Sequence, residues 1–279
     1  MMDRRQWLRQ MMLGAPGVAL AVQTPGILGR GDLQAAAILL QETVDLRKLL
    51  EEAIEAAGGA ERLTRLKAQT WRSKIRQLQE DPVVESETRY ALEWPDKLRI
   101  EWSYGVTLLR VGNKGWTKKG DEILQLGADQ LLFLKEDMWI NSLRTLLPLR
   151  DPMARLQHVP DVEVDGRPTI GMRVSIKGHR DVVLLFAKET RLLAKAEYRS
   201  RGLSDPGKLQ VIEAFFSDYR EVAGTQVPGL VTLSRAGEPY LEIENLDIER
   251  KESLDTRQYF EIGQPTEDPP AADEKPTEK

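Results

Sequence analysis

Residues 84–104 read VESETRYALEWPDKLRIEWSY, and their alternation decides the fold. Val84, Ser86, Thr88, Tyr90, Leu92 and Trp94 fall on one side of an extended chain. Glu85, Glu87, Arg89 and Glu93 fall on the other, because successive strand side chains point to opposite faces. Pro95-Asp96 predicts a turn. Leu98, Ile100, Trp102 and Tyr104 then oppose Lys97, Arg99 and Glu101. A hairpin with one apolar and one charged face belongs to an antiparallel sheet that is wetted on one side.

The same pattern continues away from this hairpin. Asn113-Lys114-Gly115 predicts a tight turn between two short strands. Further strands are expected at 157–164, 169–176, 182–187, 192–200, 208–219, 227–235 and 240–252. Asp165-Gly166 and the loop Lys188-Glu189-Thr190-Arg191 separate them as turns. This spacing predicts a continuous up-and-down antiparallel sheet of about ten strands. Strand twist makes so wide a sheet curl, leaving a concave apolar face.

Two regions have helical rather than two-residue periodicity. Leu39, Leu46, Leu50, Ile54 and Ala57 predict a helix over 38–57, stopped by Gly58-Gly59. A short helix over 60–67 follows. The segment Asp129–Leu147 interrupts the strands, with Asp129 as its expected cap and Pro148 and Pro152 beyond its end. Leu132, Trp139, Leu143 and Leu146 form its stripe, which Leu131, Leu134 and Met138 broaden. A single amphipathic helix inside a sheet of this kind is expected to lie across the greasy face. The expected fold is thus mainly β with α, an unclosed half-barrel with helices covering its concave side.

Bulk properties narrow the possible functions. The 279 residues are 41% hydrophobic and 30% charged, with a net charge of −4. No strong positive field invites nucleic acid. The absence of cysteine excludes disulfides, thiolate metal sites and cysteine nucleophiles.

The N-terminus reads as an address. Arg4, Arg5 and Arg9 precede an apolar stretch from Met11 to Val22, and Ala35-Ala36-Ala37 offers small residues for cleavage. Arg4-Arg5-Gln6-Trp7-Leu8-Arg9 resembles a twin-arginine (Tat) export motif, with Trp7 where Phe is usual and Arg9 where Lys is usual. Residues 1–37 are therefore expected to be a signal peptide, 38–263 the folded domain and 264–279 a disordered acidic tail. The expected location is the periplasm or another exported compartment.

Catalytic signatures are missing. Of the two histidines, His158 stands near Asp161 and His179 near Asp181, with no third ligand close in sequence. His179-Arg180-Asp181 copies a kinase triplet without the rest of that machinery. No nucleophile elbow, phosphate loop or dinucleotide fingerprint occurs. Glu85 with Glu87, and Glu242 with Glu244, share strand faces as a charged surface does. Neither a cofactor nor a metal is expected.

Several short motifs occur in order along the chain. They are Ala57-Gly58-Gly59-Ala60-Glu61-Arg62-Leu63, Trp94-Pro95-Asp96-Lys97-Leu98-Arg99 and Val111-Gly112-Asn113-Lys114-Gly115-Trp116. Downstream come Leu184-Leu185-Phe186-Ala187 with Leu192-Leu193. Phe216-Ser217-Asp218-Tyr219-Arg220, Gly224, Val227-Pro228 and Gly237 complete the series. Their order resembles the outer-membrane lipoprotein-sorting (LolA/LolB-like) superfamily, including mycobacterial lipid-carrier lipoproteins, with Ala187 where that family usually has Asp. The resemblance spans residues 38–263. It implies a half-barrel with a helical lid over a cavity for acyl chains, without catalytic residues or metal; the lipobox cysteine of the lipoprotein members is absent.

Together these readings predict an exported, non-enzymatic carrier of a lipid, a lipoprotein acyl chain or a similar apolar molecule. Trp71, Tyr90, Trp94, Trp102, Tyr104, Leu132, Trp139 and Leu143 are its candidate cavity residues, and a monomer is expected. The alternative is an envelope protein–protein interaction or sensing module on the same fold. A hydrolase using two distant carboxylates is the third possibility.

Overall fold

The structure, a computed structural model, describes residues 44–201 and 209–262. The expected signal peptide, with Arg4, Arg5, Trp7 and Leu8, lies outside these residues, as do the acidic tail and the start of the expected first helix.

Helix α1 (Leu46–Ala56) and helix α2 (Ala60–Arg65) come first. The chain enters α1 at Leu46 because Asp45 caps it, its carboxylate accepting from the Arg47 and Lys48 amides at 3.1 and 3.0 Å. Gly58-Gly59 ends α1 as expected. Gly58 has φ +124°, and a Cβ there would lie 2.7 Å from the Gly224 carbonyl oxygen. Only glycine satisfies both demands.

Six strands follow: β1 (Ala68–Gln77), β2 (Val84–Glu93), β3 (Lys97–Trp102), β4 (Val106–Val111), β5 (Lys114–Lys119) and β6 (Glu122–Gln125). Helix α3 (Ala128–Ser142) and two short 3-10 turns, Leu143–Thr145 and Leu147–Arg150, separate them from the second set. That set is β7 (Arg155–Val159), β8 (Glu163–Val164), β9 (Arg167–Ser175), β10 (Val182–Ala187), β11 (Leu193–Arg201), β12 (Leu209–Val222), β13 (Thr225–Arg235) and β14 (Glu238–Lys251). A short helix α4 (Thr256–Tyr259) closes the described chain.

All fourteen strands join one antiparallel sheet, ordered β6-β5-β4-β3-β2-β1-β14-β13-β12-β11-β10-β9-β7, with β8 on β9. The sheet is open. Its first and last strands pair at its middle, Ala68 opposite Lys251. The expected single meander of about ten strands is therefore two meanders, joined at β1–β14, whose outer edges are connected through α3. Two strands, β1 and β6, escaped the sequence reading, and β8 was merged with β7 in the strand expected at 157–164. In β1 the cavity face carries Gln69, Trp71 and Ser73, so its alternation is hidden by polar residues. β6 and β8 have only four and two residues.

Three apolar clusters hold the molecule together. Leu49, Leu50, Ala53 and Ile54 of α1 pack on Met172, Val174, Val182, Leu184 and Phe186 of β9 and β10. Leu134 and Met138 of α3 pack on Leu92, Leu98 and Leu108 of β2 to β4. The third cluster lies on the opposite sheet face, where Leu254 and Phe260 meet Ala68, Ala91 and Leu109. This corrects the expectation that the charged face is wholly wet. Arg99 is only 3% exposed; it pairs with Glu101 at 2.5 Å and donates to the Glu261 carbonyl at 3.0 Å.

Local differences have local causes. The tight turn before β5 is Gly112-Asn113, since Val111 already pairs with Lys114. Gly112 takes the positive φ of 58°. Helix α3 is capped at Gly127 rather than at Asp129, which lies in its first turn: Gln130 Oε1 accepts from the Gly127 amide at 2.9 Å. It ends at Ser142, where side-chain hydroxyls compete for helix carbonyls. Ser142 Oγ donates to the Trp139 carbonyl and Thr145 Oγ1 to the Ser142 carbonyl, at 2.6 and 2.8 Å. Leu146 then breaks the spiral with φ 62°.

Candidate functional site: an apolar cavity with a polar anchor

A cavity of about 340 Å³ lies between the sheet and residues of all three longer helical segments. That size sits at the small end of the roughly 300–1,000 Å³ spanned by small-molecule sites. Its wall includes Leu98 on β3 and Leu184 on β10, which are seven neighbour steps apart in the sheet order. On a flat sheet at ~4.8 Å per strand they would stand roughly 34 Å apart. A cavity of this volume takes both as wall only when the sheet curls around it.

The aliphatic part of the lining follows from strand alternation. Leu92, Leu98 and Ile100 point inward from β2 and β3, and Val227, Val231 and Leu233 from β13. Against them stand the aromatic rings. Trp71 and Tyr90, a directly opposed cross-strand pair, stack with centroids 4.5 Å apart and planes 3° apart. Burial pushes the Tyr90, Tyr198 and Tyr219 hydroxyls well above their ordinary titration range, so all three stay neutral. The Tyr219 hydroxyl donates to the Leu193 carbonyl at 2.7 Å.

Of the eight residues singled out from sequence, Trp71, Tyr90, Trp94 and Leu143 line this cavity. The other four do not. Trp102 packs at the edge of the β2–β4 cluster, and Tyr104, 46% exposed, stacks on it at 6.2 Å. Leu132 is 50% exposed, because α3 turns Leu131, Leu134 and Met138 inward instead. Trp139 packs against the α1 cluster and stacks on His179 at 3.8 Å. Position 132 lies about a hundred degrees around the helix from 131, so the broad apolar stripe is two stripes, one for each cluster.

Polar residues that the sequence reading missed enter the cavity from α3 and the turn after it, among them Asp137, Asn141 and Arg144. Their spacing, i, i+4 and i+7, places them on one helix face. Polar residues at apolar spacing beside Leu134 and Met138 were the available signal. Asn141 Nδ2 donates to Asp137 Oδ2 at 3.2 Å, and Arg144 Nη1 donates to Asn141 Oδ1 at 3.4 Å. Burial pushes the Asp137 carboxyl up to about 6, against the Asn141 hydrogen bond and the Arg144 charge. Burial also lowers the Arg144 guanidinium. Arg250 lines the cavity too, lowered to about 10 chiefly by burial and secondly by the charge of Arg144. It is committed to Thr225 Oγ1 and the Leu66 carbonyl, each at 3.2 Å.

Other candidate chemistry stays apart from the cavity. His158 meets Asp161 at 3.1 Å, and Asp161 also pairs with Lys188 at 2.6 Å. Burial lowers the pKa of His179. Among the described residues no group of three histidine or carboxylate side chains converges on a metal position. Glu85 and Glu242 both pair with Arg76, at 3.4 and 2.6 Å, in an outer charge lattice. No helix among the described residues is long and apolar enough to cross a membrane.

This open antiparallel sheet with its helices is similar in fold to solved structures that include a LolA-superfamily protein and an outer-membrane lipoprotein-sorting domain. Three solved structures share it. A DUF1329-family protein of Desulfovibrio piger matches with TM-score 0.55 at 15% identity, covering 79% of this chain and 98% of its own. A LolA-superfamily protein of Nitrosomonas europaea matches with TM-score 0.52 at 12% identity, covering 78% and 99%. A Vibrio parahaemolyticus domain described as an outer-membrane lipoprotein-sorting protein matches with TM-score 0.50 at 13% identity, covering 75% and 96%. At these identities the likeness establishes the fold alone. No protein-family profile and no curated protein matches the chain.

Proposed function

We propose that this chain is an exported, non-enzymatic carrier that holds a lipid or acyl chain in the cavity between its sheet and helices. The observation that carries this is the cavity itself: Trp71, Tyr90, Trp94, Leu92, Leu98 and Ile100 supply a continuous apolar wall. Transfer of an acyl chain from water to such a wall contributes about 0.8 kcal/mol per methylene. α1 and α3 act as its cover, because their apolar stripes are spent on the two ends of the same sheet. The shared fold of lipoprotein-sorting proteins supports this reading, as does the N-terminal export pattern, which sets the periplasm as the place of work. The protein acts as a monomer.

Native mass spectrometry of gently purified protein tests the proposal. A bound amphiphile, released by organic extraction, is expected. A protein that emerges empty, and that takes up no fluorescent fatty acid afterwards, contradicts it.

A second reading rests on the open sheet. β6 and β7 are edge strands, and Ile123 on β6 is 45% exposed. Such an edge accepts an added strand from a protein partner in the envelope. Pull-down of an envelope protein that is lost on Ile123→Pro substitution, with an empty cavity, would favour this reading over the carrier.

A further inference from the structure

We infer that the occupant is a single-chain amphiphile with an anionic head, carboxylate or phosphate, and that Arg144 is the residue that binds that head inside the cavity. This rests on the carrier reading and adds the chemistry of the ligand.

Among the described residues the charged members of the lining are Asp137, Arg144 and Arg250. Two positive groups thus face one carboxyl. Charges taken out of water are ordinarily paired. Arg144 forms no ion pair among the described residues, and its single hydrogen bond, to Asn141 Oδ1, is long at 3.4 Å. A guanidinium carries five donors in a planar fork that matches a carboxylate or phosphate. The remaining donors of Arg144 are without a partner among the described residues, in a wall made mostly of rings and aliphatic chains.

The surroundings fix where this fork stands. The Arg144 guanidinium carbon lies 5.7 Å from the centroid of the Phe216 ring, another wall residue. Tyr198, also in the wall, has a hydroxyl with no hydrogen-bond partner among the described residues and is held neutral, so it offers a donor beside the fork. Asn141 holds Asp137 aside by donating to its carboxylate and to its carbonyl, at 3.2 and 2.9 Å. Arg250 donates from both terminal nitrogens to Thr225 and the Leu66 carbonyl and keeps only its buried Nε without a partner, which leaves Arg144 as the charge more open to a ligand. The anion at Arg144 also relieves the repulsion between the two arginines. The small volume selects one chain rather than a triacylated lipoprotein anchor.

Binding of oleate, oleyl phosphate and uncharged oleyl alcohol, measured by displacement of a fluorescent fatty acid, tests the inference. The wild-type protein is expected to hold at least one of the two anions about tenfold more tightly than the alcohol, the worth of one charge-assisted contact. Arg144→Met is expected to bring the three within about twofold by weakening the anions alone, and Arg144→Lys to keep part of the preference. The tighter anion identifies the head group. A preference that survives Arg144→Met, or its absence from the wild-type protein, overturns the inference while the carrier reading stands. Binding of none of the three overturns the carrier reading itself. If Arg144→Met does not fold, as judged by thermal melting, the Arg144→Lys ratio decides: an unchanged anion preference overturns the inference.

Discussion

Trp71 lies flat against Tyr90, their centroids 4.5 Å apart and their planes 3° apart, at directly opposed positions of β1 and β2. The pair is built by register and faces the cavity. Stacked aromatic pairs contribute roughly 0.5–1.5 kcal/mol beyond the area they bury. A double-mutant cycle of Trp71→Ala and Tyr90→Ala, read by urea unfolding, should give a coupling of about 1 kcal/mol. Strict additivity would mean the rings share the wall without supporting each other.

Asp137 makes stability depend on pH. Burial raises its carboxyl from 3.8 to about 6. The folded protein therefore keeps a proton that the unfolded chain gives up between these values. Above about pH 6 the folded state carries the buried charge at a cost, and that cost disappears as pH falls from about 6 towards 4. Asp137→Asn should be more stable than wild type at pH 8, with the gap closing at pH 4. Melting curves at both pH values check this; a gap independent of pH would remove Asp137 as its source.

Arg99 ties the C-terminal segment to the outer sheet face. Its guanidinium pairs with Glu101 and reaches the Tyr259 and Glu261 carbonyls. Arg99→Ala leaves Glu101 and these carbonyls short of a buried donor and should cost about 3 kcal/mol. Limited proteolysis should then cut near residues 254–262 well before the rest of the chain. An equally protected C-terminus would show that Leu254 and Phe260 hold the segment alone.

Two glycines with positive φ should behave differently. Gly58 would place a Cβ 2.7 Å from the Gly224 carbonyl oxygen, whereas Gly120, at φ +57°, has nothing within 4 Å. Gly120→Ala should cost only the left-handed penalty, about 1–2 kcal/mol. Gly58→Ala should cost clearly more, because backbone must move as well. Similar losses in denaturant midpoint for the two would contradict the tight packing of the α1–α2 turn on β13.

The sheet was legible wherever alternation was clean. Residues 84–104 show both faces of β2 and β3 in their spelling, and three of the rings they carry or touch, Trp71, Tyr90 and Trp94, do stand on the cavity wall. The pairing of β1 with β14 was not legible, because neither strand names a partner some 170 residues away. Helix α3 was found, and Trp139, Leu143 and Leu146 of its expected stripe do pack on the α1 cluster, but Leu132 stays exposed because Leu131, Leu134 and Met138 serve the second cluster. The same crowding of leucines concealed Asp137, Asn141 and Arg144, whose spacing carried the information. Arg99 was read as wet because only the tertiary fold brings Phe260 and Leu254 over it.

The most direct test is contact quenching by 9,10-dibromostearate. Trp71 and Trp94 line the cavity, while Trp102, Trp116 and Trp139 do not. One equivalent of the brominated acid should quench tryptophan emission in the wild-type protein, and most of that quenching should vanish in Trp71→Phe/Trp94→Phe with affinity retained. No quenching, or quenching undiminished in the double variant, would mean that the cavity is not where an acyl chain binds.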